Sequence, residues 1–215
     1  MQVAVLGAGQ VGRAVGLGWR KAGHAVVFGV PDPSDAKHAD LGTGMVRAVP
    51  DAVRDAEVIA LATPWAATEA ALRAAGDLRG RIVIDCTNPL AFAPGQGLHL
   101  SLGFETSGAE RVAGWAAGAR VYKALNQTGA EGMAEAAAFP QRPVMFVAGD
   151  DPEGKQVVVR LVADLGFEAL DGGPLVNARL LEPLAMVWID QALKRGQGRD
   201  FALAITRKPA GKDVP

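Results

Sequence analysis

Near the start of the chain the residues Gly7-Ala8-Gly9-Gln10-Val11-Gly12 form a G-x-G-x-x-G pattern. They lie directly after a short apolar run, Val3 to Leu6, and open a helical stretch, Val11 to Ala22. That context gives the pattern mechanical meaning. Gly7 permits a tight turn, Gly9 lets the backbone approach a pyrophosphate, and Gly12 lets the helix pack closely on its strand. The unpaired N–H groups and positive end of the helix then favour a diphosphate. Glycine-rich turns are common on their own, but one that links a strand to a helix at residue 7 points to a dinucleotide.

The second strand bears on which dinucleotide. Asp32 lies twenty residues after Gly12, close to the spacing of the acid that holds a ribose 2′-hydroxyl, which implies NAD. The strand Ala25 to Phe28 ends near Gly29-Val30, however, so Asp32 falls beyond Pro31, where an aspartate equally well shapes a turn. No arginine stands here for a 2′-phosphate, although Lys37 and His38 are near. NAD and NADP both stay open.

Dinucleotides lie across the carboxyl ends of the strands, so the other strand-end loops come next. They are Ala62-Thr63-Pro64-Trp65, Asp85-Cys86-Thr87-Asn88-Pro89 and Lys123-Ala124-Leu125-Asn126-Gln127-Thr128. Trp65 reads equally as a cleft residue and as a helix-start indole packed on the core. Lys123 either reaches the cofactor or lays its stem on apolar surface with its ammonium in water. Cys86 reads as a small buried hydrophobe. His24 ends a helix, and His38 and His99 have no spaced partner, so no metal site is expected. No nucleophile, base and orienter can be assembled into a triad, and no catalytic acid or base is assigned.

Short β-branched runs position these loops: Val3 to Leu6, Ala25 to Phe28, Val58 to Ala62, Ile82 to Ile84, Val121 to Leu125, Val144 to Ala148 and Phe167 to Leu170. They alternate with helical stretches at Val11 to Ala22, Pro50 to Ala56, Trp65 to Ala75, Ser107 to Ala117 and Pro152 to Leu165. Such alternation predicts an α/β, doubly wound and mainly parallel sheet of Rossmann type. Ser107 with Glu110 fits a capping box. Asp151-Pro152 gives an N-cap and first helical residue, and Gly166 a helix stop. Leu90 to Phe104, with Pro94 and Gly95, reads as a long loop. After Asp171-Gly172-Gly173-Pro174 the chain turns helical to about Arg195, with a kink expected at Pro183, and frays from about Lys208. The reading is a dinucleotide-binding domain over 1–172 and a small helical extension over 173–215.

The 215 residues, 49% hydrophobic and 21% charged, are those of an ordinary globular chain. With a formal charge of −1 and no basic run, neither nucleic acid nor anionic lipid is an expected partner. One cysteine cannot make an internal disulfide, so the cytoplasm is the default compartment. No apolar stretch suits a leader peptide or a bilayer span.

Taken together, the quoted motifs resemble the coenzyme F420-dependent NADP oxidoreductases. The match rests on Gly7 to Gly12, Thr63-Pro64-Trp65, Thr87-Asn88-Pro89-Leu90, Lys123-Ala124-Leu125-Asn126, Val147-Ala148-Gly149-Asp150-Asp151, Asp171 to Leu175 and Ala178-Arg179-Leu180-Leu181-Glu182. The chain is also similar to the cytosolic reductase domain of six-transmembrane ferric reductases through the Lys-Ala-x-Asn element. The resemblance implies a homodimer and hydride exchange between a nicotinamide, NADP or NAD, and a small-molecule acceptor: coenzyme F420, a deazaflavin, or a flavin. It marks one departure. Where the family carries a small polar residue and then an arginine for the 2′-phosphate, this chain has Val30 and Pro31.

The cofactor-binding candidates are therefore Gly7, Ala8, Gly9, Gln10, Val11, Gly12, Val30, Asp32, Ala62, Thr63, Pro64, Asn88, Lys123, Ala124, Leu125 and Asn126. Two other functions compete: a dehydrogenase of a small imine or keto substrate, and a nicotinamide-binding sensor without catalysis.

Overall fold

The computed structural model describes residues 1–42 and 44–208. The central sheet holds β1 (Gln2–Leu6), β2 (Ala25–Val30), β3 (Val46–Ala48), β4 (Val58–Leu61), β5 (Ile82–Asp85), β8 (Arg120–Lys123), β9 (Val144–Gly149) and β10 (Glu168–Asp171). Their spatial order is β10-β9-β8-β5-β4-β1-β2-β3. The strands from β3 across to β8 are parallel; β9 runs antiparallel to β8 and carries β10 parallel to itself. This is the expected doubly wound sheet, with a reversed pair added at one edge.

Burial on both faces explains why the strands read as unbroken apolar runs. Successive side chains point to opposite faces, and the core divides accordingly. Val3, Val5, Val58, Ala60, Ile82 and Ile84 join one cluster, with Val15 and Trp19 of α1 (Gln10–Lys21) and Val158, Leu161 and Val162 of α6 (Pro152–Asp164). Ala4, Leu6, Ile59, Leu61 and Val83 join the other, against α2 (Val49–Val53), α3 (Trp65–Ala75) and α4 (Gly108–Trp115). The buried Trp19 indole donates from Nε1 to the Leu161 carbonyl at 2.7 Å, which fixes α1 to α6.

The helix signals are realised as chemistry. Ser107 Oγ accepts from the Glu110 N–H at 3.2 Å, and Asp151 accepts from the Gly154 N–H at 2.8 Å. Gly166 has φ of 100° just past the end of α6. The helix α7 (Ala178–Lys194) runs on through Pro183. Residues 175 and 178, at its approach, are buried in the second cluster.

Three elements depart from the sequence reading. Leu90 to Phe104 is not a plain loop, because β6 (Leu90–Ala93) and β7 (Gly97–Leu100) pair antiparallel as a hairpin. Pro94 and Gly95 are its turn, with φ of 81° at Gly95 and the Gln96 N–H on the Ala93 carbonyl at 3.1 Å; Pro then a positive-φ Gly is the pattern of a type II turn. The short edge strand β3 and the five-residue α5 (Ala130–Ala134) have no counterpart among the elements expected from the sequence. Of the end expected to fray from Lys208, residues 209–215 lie outside the described residues.

Candidate functional site

The parallel strands end level with one another. Leu6 pairs with Gly29 and with Leu61, Leu61 with Asp85, and Asp85 with Lys123. The loops that follow β1, β2, β4, β5 and β8 therefore form one rim. The order reverses between β1 and β4, and in open α/β sheets ligands bind outside the carboxyl ends of the strands at such a switch point.

The glycine turn sits there, and each glycine has a different reason to be one. Gly7 has φ of 103° and donates its N–H to the Gly29 carbonyl at 2.9 Å. A Cβ on it would lie 2.7 Å from the Ala62 carbonyl oxygen, and one on Gly12 would lie 2.1 Å from the Gly7 oxygen. A Cβ on Gly9 would meet nothing within 4 Å. Packing within the protein thus demands the first and third glycines, while the middle one leaves bare backbone facing open space. Gly9 is also the N-cap of α1, whose first turn holds no acidic residue and no side-chain cap, so its N–H groups remain available to an anion. These residues fit a dinucleotide diphosphate.

Arg13 braces the turn. Its Nε donates to the Ala8 carbonyl at 2.9 Å and one terminal nitrogen to the Lys37 carbonyl at 2.7 Å, while the other pairs with Asp40. One guanidinium therefore ties the glycine turn to the loop after β2. Val30 is buried at the end of that strand, and Asp32 is exposed beyond it. Asp32 Oδ1 accepts from the Ser34 N–H at 2.9 Å and hydroxyl at 2.6 Å. Those bonds hold its carboxyl below the usual range.

Across the switch point Ala62 and Thr63 are half-buried and Pro64 is exposed. Thr63 Oγ1 lies 3.0 Å from Thr68 Oγ1. Trp65 begins α3 and packs on Trp115, the ring centroids 5.3 Å apart.

The β5–β8 side is built differently. Lys123 is fully buried, and its Nζ lies 2.8 Å from Asp85 Oδ2, 2.9 Å from Glu182 Oε1 and 2.6 Å from the Thr87 carbonyl oxygen. The ammonium is thereby satisfied in all three donors. The ammonium is not in water, one of the two positions expected for it, because its partners are Asp85 of β5, the Thr87 carbonyl just beyond that strand and Glu182 of α7. Burial alone depresses a lysine, but the attraction of Asp85 and Glu182 outweighs it and holds Lys123 above its ordinary value.

Two carboxylates against one ammonium leave a negative charge, and Glu182 places it at the start of α4. There its oxygens accept from the Gly108 and Ala109 N–H groups at 2.9 and 3.1 Å, at the positive end of the helix. Asp85 Oδ1 accepts from the Thr87 N–H at 2.9 Å and hydroxyl at 2.7 Å.

Ala124, Leu125 and Asn126 are buried too. Leu125 has φ of 58°, an uncommon and costly conformation for a bulky residue. The member of this side that reaches the surface is Asn88, which is half-buried. It donates to the Asn126 carbonyl and accepts from Asn126 Nδ2, both at 3.0 Å. Asn126 also donates to the Leu181 carbonyl at 3.2 Å, and Gln127 donates to Asn126 Oδ1 at 2.9 Å. The Lys-Ala-Leu-Asn segment is therefore a backing that orients Asn88. The sequence assigns no role at the rim to Arg13 or Glu182, and places Gln127 only within a strand-end loop. For Glu182 the available signal was a carboxylate set in the apolar stretch Leu180 to Val187.

Cys86 is buried, and burial followed by the nearby Asp85 charge pushes its thiol well up, so it is a packed hydrophobe. Among the described residues no group of three or more His, Cys, Asp and Glu is gathered to hold a metal ion. No helix among them is long and apolar enough to cross a membrane.

Fold and cradle together define a dinucleotide-binding α/β protein. Comparison with known proteins narrows this. Residues 2–89 match the family described as NADP oxidoreductase, coenzyme F420-dependent. A crystal structure from Arthrobacter sp. FB24, provisionally described as an F420-dependent NADP-reductase, is 32% identical, covers 96% of this chain and 100% of its own, and superposes with a TM-score of 0.87. Metalloreductase STEAP3 of Rattus norvegicus is 27% identical over 185 residues, 86% of this chain but 36% of the relative, so the chain spans about a third of that protein. A reductive aminase from Aspergillus terreus, solved with NADPH4, cyclohexanone and allyl amine, is 20% identical over 91% of this chain and 62% of its own, with a TM-score of 0.64. That last likeness is one of fold. The chain belongs to the coenzyme F420-dependent NADP oxidoreductase family, a family of NADP-dependent oxidoreductases.

Proposed function

We propose that the chain is an NAD(P)H-dependent oxidoreductase that exchanges hydride between a nicotinamide and coenzyme F420 or a flavin-like acceptor. The observation that carries this reading is the open backbone at Gly9, set at the switch point of a sheet that matches a protein of that description over almost its whole length. The bound nicotinamide supplies the hydride carrier. The residues of the chain bind, orient and exclude water. The N–H groups from Gly9 to Val11 hold the diphosphate, and Thr63 and Pro64 line the nucleotide cleft. Asn88, fixed by Asn126, orients the nicotinamide end.

Transfer between stacked rings depends on alignment and dryness more than on a strong acid or base, which accords with the internal pairing of the charged groups on the β5–β8 side. The hairpin β6–β7 and α7 bound the acceptor side. A homodimer joined through α7 belongs to the same reading, since Leu180 and Val187 are exposed on that helix; sedimentation of the wild type and of Leu180→Glu tests it.

The main experiment titrates the protein with NADPH and NADH and then offers F420, free flavin, ferric chelate and a small imine or ketone, following loss of reduced-nicotinamide absorbance. Turnover with F420 or flavin is the expected result. Turnover with the imine or ketone alone makes the chain a dehydrogenase of small carbonyl compounds, and binding without any oxidation makes it a sensor.

A further inference from the structure

We infer that this chain prefers NADH to NADPH, with Asp32 as the specificity-determining residue: its carboxylate accepts the adenosine ribose 2′-hydroxyl and repels a 2′-phosphate. The inference rests on the proposed function, since it presupposes a dinucleotide in the glycine cradle.

Placement comes first. The Gly7 N–H is bonded to the Gly29 carbonyl at 2.9 Å, so β2 leaves the sheet beside the cradle. Val30 closes the strand, and Pro31 to Ser34 emerge exposed at the rim. An acid about twenty residues beyond the glycine turn is the group that takes a ribose 2′-hydroxyl in this fold. The turn-shaping role of Asp32 does not compete with that task. Both Ser34 bonds fall on Oδ1, and Oδ2 accepts none among the described residues. The turn steadies the carboxylate and leaves one oxygen for a ligand.

Charge decides the rest. A 2′-phosphate brings close to two negative charges at neutral pH. The loop it would enter offers Asp32, Asp35 and Asp40 against Lys37 and the neighbouring Arg13. Both cations are engaged. The Lys37 ammonium pairs with Asp35 at 2.5 Å. Arg13 spends its guanidinium on two backbone carbonyls and on Asp40, and turning it toward a phosphate would release the loop from the glycine turn. Pro31 and Pro33 carry no donor, and His38 is buried.

The test is calorimetric titration of the unliganded full chain with NADH and with NADPH, for the wild type and Asp32→Ser. NADH is expected to bind about tenfold more tightly to the wild type, a difference of about 1.4 kcal/mol. The substitution should shrink that ratio to about threefold or less, weakening NADH and strengthening NADPH. Asp32 is exposed, so an unchanged melting temperature is expected for the variant. NADPH binding as tightly as NADH or more tightly overturns the inference while leaving the proposed function standing, as does a ratio that Asp32→Ser does not move. If neither dinucleotide binds, both fall together.

Discussion

On the β1–β2 side of the rim the ligand-facing surface is bare backbone, kept open at Gly9 and braced from outside by Arg13. On the β5–β8 side the matching strand ends are sealed by a buried ammonium, two carboxylates and a pair of reciprocal amides. The first half has almost no side-chain chemistry and leaves its hydrogen-bonding groups to a ligand. The second is rich in side-chain chemistry and spends nearly all of it internally, which leaves Asn88 as the group it presents. One half binds and the other braces, so a substitution in each should fail in a different way.

The largest effect belongs to the bracing half. Lys123→Met strands two buried carboxylates and is expected to cost about 3–5 kcal/mol of stability, measured by chemical denaturation. Adding Asp85→Asn removes one stranded charge while keeping an oxygen for the two Thr87 donors, so the double variant should recover part of the loss. A double variant no more stable than the single one would mean that uncompensated charge is not the cause.

The binding half gives the converse result. A Cβ on Gly9 meets nothing, and its φ of −78° suits any residue, so Gly9→Val should melt like the wild type. It should nonetheless bind NADH at least about 100-fold more weakly, or about 2.7 kcal/mol. Gly12→Ala is the internal control. Its Cβ would overlap the Gly7 oxygen, and overpacking of this kind costs about 1–3 kcal/mol of stability. Equal loss of binding and stability in both variants would dissolve the division between the two halves. A smaller gain tests the same edge: Pro31→Arg puts a free guanidinium where β2 leaves the sheet and should tighten NADPH by about tenfold in calorimetry.

The same division governs what was legible in the sequence. The glycine turn is a local device, so its pattern, spacing and neighbouring strand sufficed to place it. The apolar runs likewise gave the strands of the doubly wound sheet, because burial on both faces leaves a mark in each segment separately. The ionic cluster leaves no such mark. Lys123, Asp85 and Glu182 come from β8, β5 and α7, and only the sheet register sets the first two side by side. Without that register a lysine reads as a surface cation.

The hairpin β6–β7 is hidden in the sequence for another reason. Pro94 and Gly95 read as loop punctuation, whereas they are the turn itself, and its strands are too short and too half-buried to alternate clearly. The edge strand β3, three residues with Arg47 at its centre, has no apolar run to see.

The smallest expected effect lies where the braced half meets the outside. Glu110 takes Arg179 Nε on Oε2 at 2.9 Å and its terminal nitrogen on Oε1 at 2.6 Å, joining α4 to α7 beside the buried cluster. The Arg179 bonds, aided by the Ser107 hydroxyl and opposed by partial burial, hold the Glu110 carboxyl below its unfolded value of 4.5. A carboxyl depressed in the folded state binds fewer protons there than when unfolded, so its contribution is complete above the unfolded value and fades as the pH falls through the folded one. Solvent reaches the pair, which limits the contribution to about 0.5–1 kcal/mol. Glu110→Gln should therefore be less stable than the wild type at neutral pH by that amount, and the two denaturation midpoints should converge as the pH falls below 4.5. A gap that stays constant into acid would assign the role of Glu110 to packing between α4 and α7.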